Sequence, residues 1–213
     1  VGQSSGGWGA LWLQITYPTV FSGAFAGSPD FVDFRAFGPH LDLYEPGANF
    51  FALADGTPHP GVRDSKTGTT LLTNRQGVER SAVVRGANQQ TSFEAVFGMP
   101  TPGGEPERLF DPSTGAIDPD VVARWSRFDL TRRVAEQWHR IGQNLQGKLT
   151  IWVGDEDDYY LDEAVRLFAE TLEDLDAAAH IEIIPDAGHD IWTDQVRTHM
   201  HRRIDPALQS AGL

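Results

Sequence analysis

KLTIWVGDEDDYYLDEAVRLFAETLEDLDAAAHIEIIPDAGHDIW, residues 148–192, is the stretch that decides the fold class. Its first segment, KLTIWVG, is rich in β-branched and aromatic residues and predicts a strand that ends at Gly154. The next segment carries an apolar stripe at helical spacing, and AHIEIIP at 179–185 predicts a second strand before a final helix. Strands that alternate with helices indicate an α/β fold, in which a mostly parallel sheet has helices on both faces. Sites in such folds form at the carboxyl ends of the strands.

The rest of the chain extends this pattern in both directions. Apolar side chains at helical spacing predict a helix over 7–17, and the small-residue run at 22–29 predicts a buried strand. Helical faces return at 119–125 and 130–141. A long segment, 35–118, lies between the predicted strand at 22–29 and the helical face at 119–125. It has many Gly, Pro, Asn and Asp residues, which predicts an irregular insertion that serves as a lid or pocket loop.

Length and composition indicate one folded domain over residues 1–213. The 30 acidic and 17 basic side chains give a formal charge of −13, which disfavours nucleic acid as a partner because it repels phosphate. The sequence contains no apolar run of the roughly 18–20 residues that a membrane span needs. With no cysteine there is neither a disulfide nor a thiolate site, and we expect a soluble protein of undetermined compartment, cytoplasmic or secreted.

The start of the sequence suggests that further residues precede it. The first residue is Val1 rather than Met, and a motif that normally follows a buried strand begins at once at Gly2. We therefore expect an N-terminally truncated chain that lacks the first strands of its domain, and no signal segment can be recognised.

GQSSG at 2–6 matches the pattern G-x-S-x-G, which places a serine on a sharp turn between a strand and a helix. Ser4 is then the candidate nucleophile, and the backbone N–H of Ser5 is the candidate oxyanion donor. We expect the glycines on either side to let the strand and the helix approach closely. The alternative is a Gly/Ser-rich loop, since turns favour the same residues.

An acid and a histidine follow in the order that this motif requires. In VGDEDDYYL, Asp157 lies after the predicted strand and is the candidate partner of an imidazole, although Asp155 and Asp158 compete for the role. The acidic cluster could also be a solvated loop or the first turn of the next helix. His189 lies in DAGHDIW after the last strand, at the predicted edge of the sheet, and is the candidate base.

Neither a metal nor a cofactor is predicted. The sequence has no H-E-x-x-H, no phosphate-binding loop and no dinucleotide fingerprint. The pair His199 and His201 would point apart on a helix. The remaining histidines do not lie, along the chain, beside the motifs that could form a catalytic site: His40, His59, His139 and His180.

Four stretches of the chain resemble the esterase D-like group of the α/β-hydrolase superfamily: GQSSGGWGALWLQITYP, SPDFVDFR, VGDEDDYYL and AGHDIW. The resemblance implies a carboxylic ester hydrolase that acts through an acyl-enzyme on a small-molecule ester, with Ser4, Asp157 and His189 as its triad. It also implies strands before the nucleophile elbow and a second oxyanion donor in a loop among them.

Two other functions remain open at this point. The same triad could catalyse acyl transfer or peptide cleavage. A protein with this fold could also bind a ligand without catalysis. An intact triad order favours the serine hydrolase.

Overall fold

The structure is a computed structural model that describes residues 1–84 and 89–210. The strands are β1 (Gly2–Ser4), β2 (Ala24–Pro29), β3 (Pro60–Arg63), β4 (Thr70–Thr73), β5 (Leu149–Gly154) and β6 (Ala179–Ile184). The helices are α1 (Ser5–Thr16), α2 (Asn74–Val84), α3 (Gln89–Phe97), α4 (Pro119–Trp125), α5 (Leu130–Leu145), α6 (Leu161–Asp174) and α7 (Asp194–Ser210). Short 3₁₀ turns lie at Phe34–Ala36 and Ser126–Phe128.

A four-stranded sheet in the order β1-β2-β5-β6 is the centre of the fold, and each neighbouring pair in it is parallel. The α/β class and the parallel sheet predicted from the sequence are therefore confirmed. The helix and strand predictions outside 35–118 each have a counterpart within a few residues. Because all four strands run the same way, the residues that follow them emerge at one edge, and Ser4 at the end of β1 lies at this edge too.

Side chains alternate across the sheet, and helices cover both of its faces. Leu149, Ile151 and Val153 of β5 join the main apolar core, which α1, α5 and α6 complete. Trp152 points the other way and packs with Val196 and Met200 of α7. Among the described side chains, this cluster of Trp152 with α7 is much smaller than the main core. The helix α7 is therefore held by fewer apolar contacts than the helices on the opposite face.

The prediction of irregular structure for 35–118 is wrong in part. The segment contains α2, α3 and the antiparallel pair β3–β4, and it packs around an aromatic core of its own. Phe37, Phe93 and Phe97 belong to this core together with Trp125 from α4. The sequence signal was weak because turn-forming residues interrupt the apolar spacing, and contacts between distant aromatic rings, rather than local propensity, hold the segment together.

Among the residues that the structure describes, no helix is both long enough and apolar enough to cross a membrane.

Candidate active site

Ser4 occupies a strained turn between β1 and α1. Its backbone has φ 53° and ψ −126°, a conformation that is rare for a residue with a side chain. A Cβ on Gly2 would collide with the carbonyl of Gly6, and one on Gly7 would lie 3.2 Å from the Gly27 oxygen. Gly6 itself has open space where a Cβ would be. The close approach expected of the motif glycines therefore occurs at Gly2 and Gly7, but not at Gly6.

The N-terminus of α1 begins directly after this turn. Ser5 is the first helical residue, and the Ser4 side chain does not cap the helix. The first N–H groups of a helix have no intrahelical acceptor and carry a partial positive charge. The Ser5 amide, which the sequence predicted as an oxyanion donor, thus belongs to a helix end that favours negative charge.

Asp157 and His189 lie together after β5 and β6. The Asp157 Oδ2 atom is 2.9 Å from His189 Nδ1, and the Asp157 side chain is fully buried. Asp157 Oδ1 accepts the backbone N–H groups of Tyr159 and Leu161 at 2.9 and 3.4 Å. These contacts fix the carboxylate, so a neutral His189 carries its proton on Nδ1 and leaves Nε2 free to accept another proton.

The two competing acids have different roles in the structure. Asp158 Oδ2 accepts the backbone N–H of His189 at 2.6 Å, so it contacts the main chain rather than the ring. The Asp155 side chain forms neither a hydrogen bond nor an ion pair among the described residues, and its Oδ1 is buried. Of the three candidates, Asp157 is the one whose carboxylate contacts the imidazole.

The Ser4 hydroxyl has a partner that the sequence did not predict. Its Oγ donates to Asp30 Oδ1 at 3.0 Å, while the Ser5 Oγ donates to Asp30 Oδ2 at 2.5 Å. Gln89, at the start of α3, also donates to Asp30 Oδ2 at 2.8 Å. Within the described residues there is no hydrogen bond between Ser4 and His189, although both side chains line one cavity. The Ser4 hydroxyl therefore contacts Asp30 rather than the candidate base, His189.

Three hydrogen bonds connect the loop that carries His189 to Gln3 and Ser28. The Gln3 side chain donates from Nε2 to the His189 carbonyl at 3.0 Å, and Ser28 Oγ donates to the same oxygen at 3.3 Å. The Trp192 indole N–H donates to Gln3 Oε1. Gln3 thus connects the nucleophile turn directly to the His189 loop, which limits the movement of one relative to the other.

Arg63 of β3 holds the acid loop in place. Its guanidinium donates to the carbonyls of Asp157 and Asp155 at 2.9 and 3.2 Å, and it forms ion pairs with Glu156 and Asp162. It also lies over the ring of Tyr160, which has a left-handed backbone with φ 61°. The insertion therefore contributes to the position of Asp157 through a partly buried cation, in addition to covering the site.

A cavity of about 300 Å³ opens at this edge of the sheet. Ser4, Asp30 and His189 form its polar end. Aromatic and aliphatic side chains supply most of the remaining wall. Phe37, Phe50 and Phe93 come from the insertion, whereas Phe31, Tyr159 and Leu161 come from outside it. The insertion is thus a pocket wall, and the cavity is suited to an apolar group of moderate size attached to a reacting centre near Ser4.

Charges around the imidazole change its proton affinity. Burial alone would lower the pKa of His189, but the hydrogen bond and charge of Asp157, with further charge from Asp30 and Asp158, outweigh it and raise the pKa. Burial raises the pKa of Asp30, although hydrogen bonds from Ser5 and Ser4 oppose that change. The site therefore favours an imidazolium, which is the form that a general base reaches after it takes a proton.

We expect Asp30→Asn to move the acid limb of the activity profile to lower pH. A general base must be neutral, so on the hypothesis that His189 is the base of an esterase, activity falls as pH drops through its pKa. Loss of the Asp30 charge destabilises the imidazolium and therefore lowers that pKa. The measurement is kcat/KM for an ester as a function of pH, with Asp42→Asn, which lies away from the cavity, as control. A loss of 1,000-fold or more at every pH would instead make Asp30 the base.

Sequence reasoning missed four residues that shape the site. Asp30 was in the quoted SPDFVDFR but received no role, and Gln3 is the variable residue of G-x-S-x-G. Arg63 and Gln89 lie in the segment predicted to be irregular. The one usable signal was Asp30, because a carboxylate directly after a buried strand must emerge at the same edge as the nucleophile.

Comparison of the chain with models of known protein families finds no match, and comparison with curated proteins finds none either. The resemblance to esterases accordingly depends on the four motif stretches alone.

Proposed function

We propose that the protein is a serine hydrolase of carboxylic esters with an α/β-hydrolase fold, similar to the esterase D-like group. The observation that carries the proposal is the combination of Ser4 on a strained turn with an Asp157–His189 pair, 2.9 Å between Oδ2 and Nδ1, at one cavity. The order along the chain, serine after β1, acid after β5 and histidine after β6, is also that of α/β-hydrolases.

In the proposed mechanism, His189 Nε2 takes the proton of the Ser4 hydroxyl as Oγ attacks the ester carbonyl. The resulting oxyanion accepts the Ser5 N–H at the start of α1, and Asp157 stabilises the imidazolium. His189 then protonates the leaving alcohol as the C–O bond breaks, which leaves an acyl group on Ser4. Water, deprotonated by His189, then attacks the acyl carbon. The bond between this carbon and Ser4 Oγ breaks, the carboxylic acid leaves, and His189 returns the proton to the serine.

The cavity lining supports an ester with an apolar or aromatic acyl group. Phe37, Phe50 and Phe93 line the wall, and Phe93 stacks on Phe97 with a centroid distance of 5.8 Å. Aromatic rings bind other rings favourably through offset stacking. A comparison of kcat/KM for 4-nitrophenyl benzoate and 4-nitrophenyl acetate checks this, and equal values would contradict it.

Labelling by a fluorophosphonate tests the function. We expect the probe to phosphonylate Ser4 Oγ, with mass spectrometry placing the adduct on that residue, because an activated serine attacks the probe as it attacks an ester. Ser4→Ala should abolish labelling. Ser5→Ala is the matched control, since it removes the neighbouring hydroxyl but keeps the Ser5 backbone N–H.

Two outcomes would decide against the proposal. An adduct on a different serine would move the nucleophile elsewhere. No adduct on the folded protein, with a control hydrolase labelled in parallel, would favour the non-catalytic binding protein. Acyl transfer and peptide cleavage use the same nucleophile, and they are separated from ester hydrolysis by whether an alcohol or an amide substrate supports turnover.

A further inference from the structure

A cluster of two histidines and a glutamate lies on the opposite face of the sheet from the main core. His180 and Glu182 are two apart on β6, so their side chains point to the same face. His199 comes from α7, which packs on that face. One ligand atom from each residue lies within 4.8 Å of the others. The sequence separates these residues, and their approach overturns the expectation that none of the histidines has a clustered partner.

The distances within the cluster suit a shared cation. Glu182 Oε2 is 3.0 Å from His199 Nδ1 and 3.4 Å from His180 Nε2. Ligand atoms on a tetrahedral zinc ion, with bonds of about 2.0–2.1 Å, lie about 3.3 Å apart. Among the described residues, His180 Nε2 is buried and has no hydrogen-bond partner, so it faces the carboxylate without a proper hydrogen bond.

A neighbouring tryptophan orients the carboxylate. Trp152 is paired with Glu182 across β5 and β6, and its indole N–H donates to Glu182 Oε2 at 3.0 Å. Its ring also lies edge-on to both imidazoles, with centroid distances of 6.1 Å to His180 and 6.4 Å to His199. Metal ligands are commonly held in this way by a hydrogen bond from outside the coordination sphere.

The cluster connects the two elements that flank the His189 loop. β6 ends at Ile184 and α7 begins at Asp194, so a cation bound by both would join the two ends of this loop. Among the side chains that the structure describes, the apolar cluster beneath α7 has three buried members, Trp152, Ile191 and Val196. Because few apolar contacts hold α7 to the sheet, a bound metal would contribute much of the free energy that keeps this helix in place.

We propose that His180, Glu182 and His199 form a binding site for a borderline divalent cation such as Zn²⁺, which fastens α7 to the edge strand β6. Two imidazoles and a carboxylate are ligands that Zn²⁺ accepts, whereas Mg²⁺ and Ca²⁺ prefer oxygen alone. Three protein ligands leave a fourth position for water. This site is independent of the proposed esterase activity.

Charges around the site determine how its affinity depends on pH. Zn²⁺ requires neutral imidazoles, and burial, with the nearby charge of Arg203, lowers the pKa of His180. Glu182 and His199 are the other titratable groups that act on this ring. We expect the binding seen at pH 7.5 to be lost as the pH falls and the imidazoles become protonated.

The test is calorimetric titration of Zn²⁺ into untagged protein stripped with EDTA, at pH 7.5. We expect one ion per chain, and at least about tenfold weaker binding in His199→Ala and Glu182→Gln. His201→Ala is the matched control, because it removes a histidine from the same helix but points away from the cluster. At a Zn²⁺ concentration 100 times Kd, the Tm of the protein and of this control should rise by about 5–10 °C.

Three results would overturn the proposal: no Zn²⁺ binding by the unaltered protein, equal binding by His199→Ala and Glu182→Gln, or loss of binding in His201→Ala. Glu182→Gln keeps an oxygen for the Trp152 N–H, so it decides the matter even if His199→Ala fails to fold. Zn²⁺ binding that persists in His189→Ala separates this site from the proposed active site, and Mg²⁺ should not replace Zn²⁺.

Discussion

Replacement of Ser4 by Ala is expected to lower kcat/KM for ester hydrolysis by at least about 10⁴-fold. In the proposed mechanism, the change removes the atom that forms the acyl-enzyme, and loss of the nucleophile in a well-studied serine protease costs about 10⁶-fold in kcat. What remains would come from substrate binding and the Ser5 N–H, which act without the serine. The fold should persist, because within the described part of the chain Ser4 Oγ has a single hydrogen bond, to Asp30. Thermal unfolding checks this independently of activity.

Single and double variants of Ser4 and His189 test whether the two residues act together in catalysis or contribute to it independently. If Ser4 and His189 act as one unit, His189→Ala should lose about as much activity as Ser4→Ala, and the double variant should lose hardly more. Ser5→Ala, which alters the hydroxyl beside the nucleophile, should stay within about tenfold of the unaltered protein because the Ser5 backbone N–H is kept. If the fold-loss of activity in the double variant equalled the product of the losses in the two single variants, a shared mechanism would be contradicted.

Asp157→Asn is expected to lower kcat by about 10⁴-fold with little change in the fold. The carboxylate accepts a hydrogen bond from His189 Nδ1–H, with 2.9 Å between Oδ2 and Nδ1. An amide nitrogen at the same place would instead donate a hydrogen bond to Nδ1. The imidazole would then carry its proton on Nε2 and could not accept one from Ser4. The Tyr159 N–H can still find the remaining amide oxygen, so the loop keeps its turn.

Asp155→Asn is the control for that change, because it alters an acid in the same loop whose side chain has no partner among the described residues. We expect kcat for this variant to stay within a few-fold of the starting value. The assignment of the acid would be wrong if Asp157→Asn retained most of its activity while Asp155→Asn or Asp158→Asn lost it. Asp158→Asn should have an intermediate effect, since Asp158 holds the backbone N–H of His189.

The parts of the fold that the sequence predicted well are those governed by local pattern. The helices that begin at Leu130 and Leu161 have strong apolar stripes, and the buried strand at 149–154 has a continuous run of β-formers. The segment 35–118 defeated the same reasoning, because its aromatic core is assembled from rings far apart in the chain, such as Phe37 and Phe93. Local propensity does not report such contacts.

The candidate site divides in the same way. Its three principal residues could be placed at one edge from the sequence alone, since parallel strands fix where their following loops emerge. The choice of Asp157 over Asp155 and Asp158 could not be made from spacing. It required the direction of each side chain in a tight loop, which depends on the Arg63 guanidinium contributed by a distant strand.

By itself, the sequence determined the α/β class, the order of strands and helices outside 35–118, and the edge of the sheet at which Ser4, Asp157 and His189 emerge. Periodicity and chain order are local properties, and they suffice for those conclusions. Tertiary structure alone decided that Asp30 binds the Ser4 hydroxyl, that the insertion forms an aromatic pocket wall, and that His180 and His199 meet at Glu182. Each of these depends on the packing of segments distant in sequence, which no local pattern encodes.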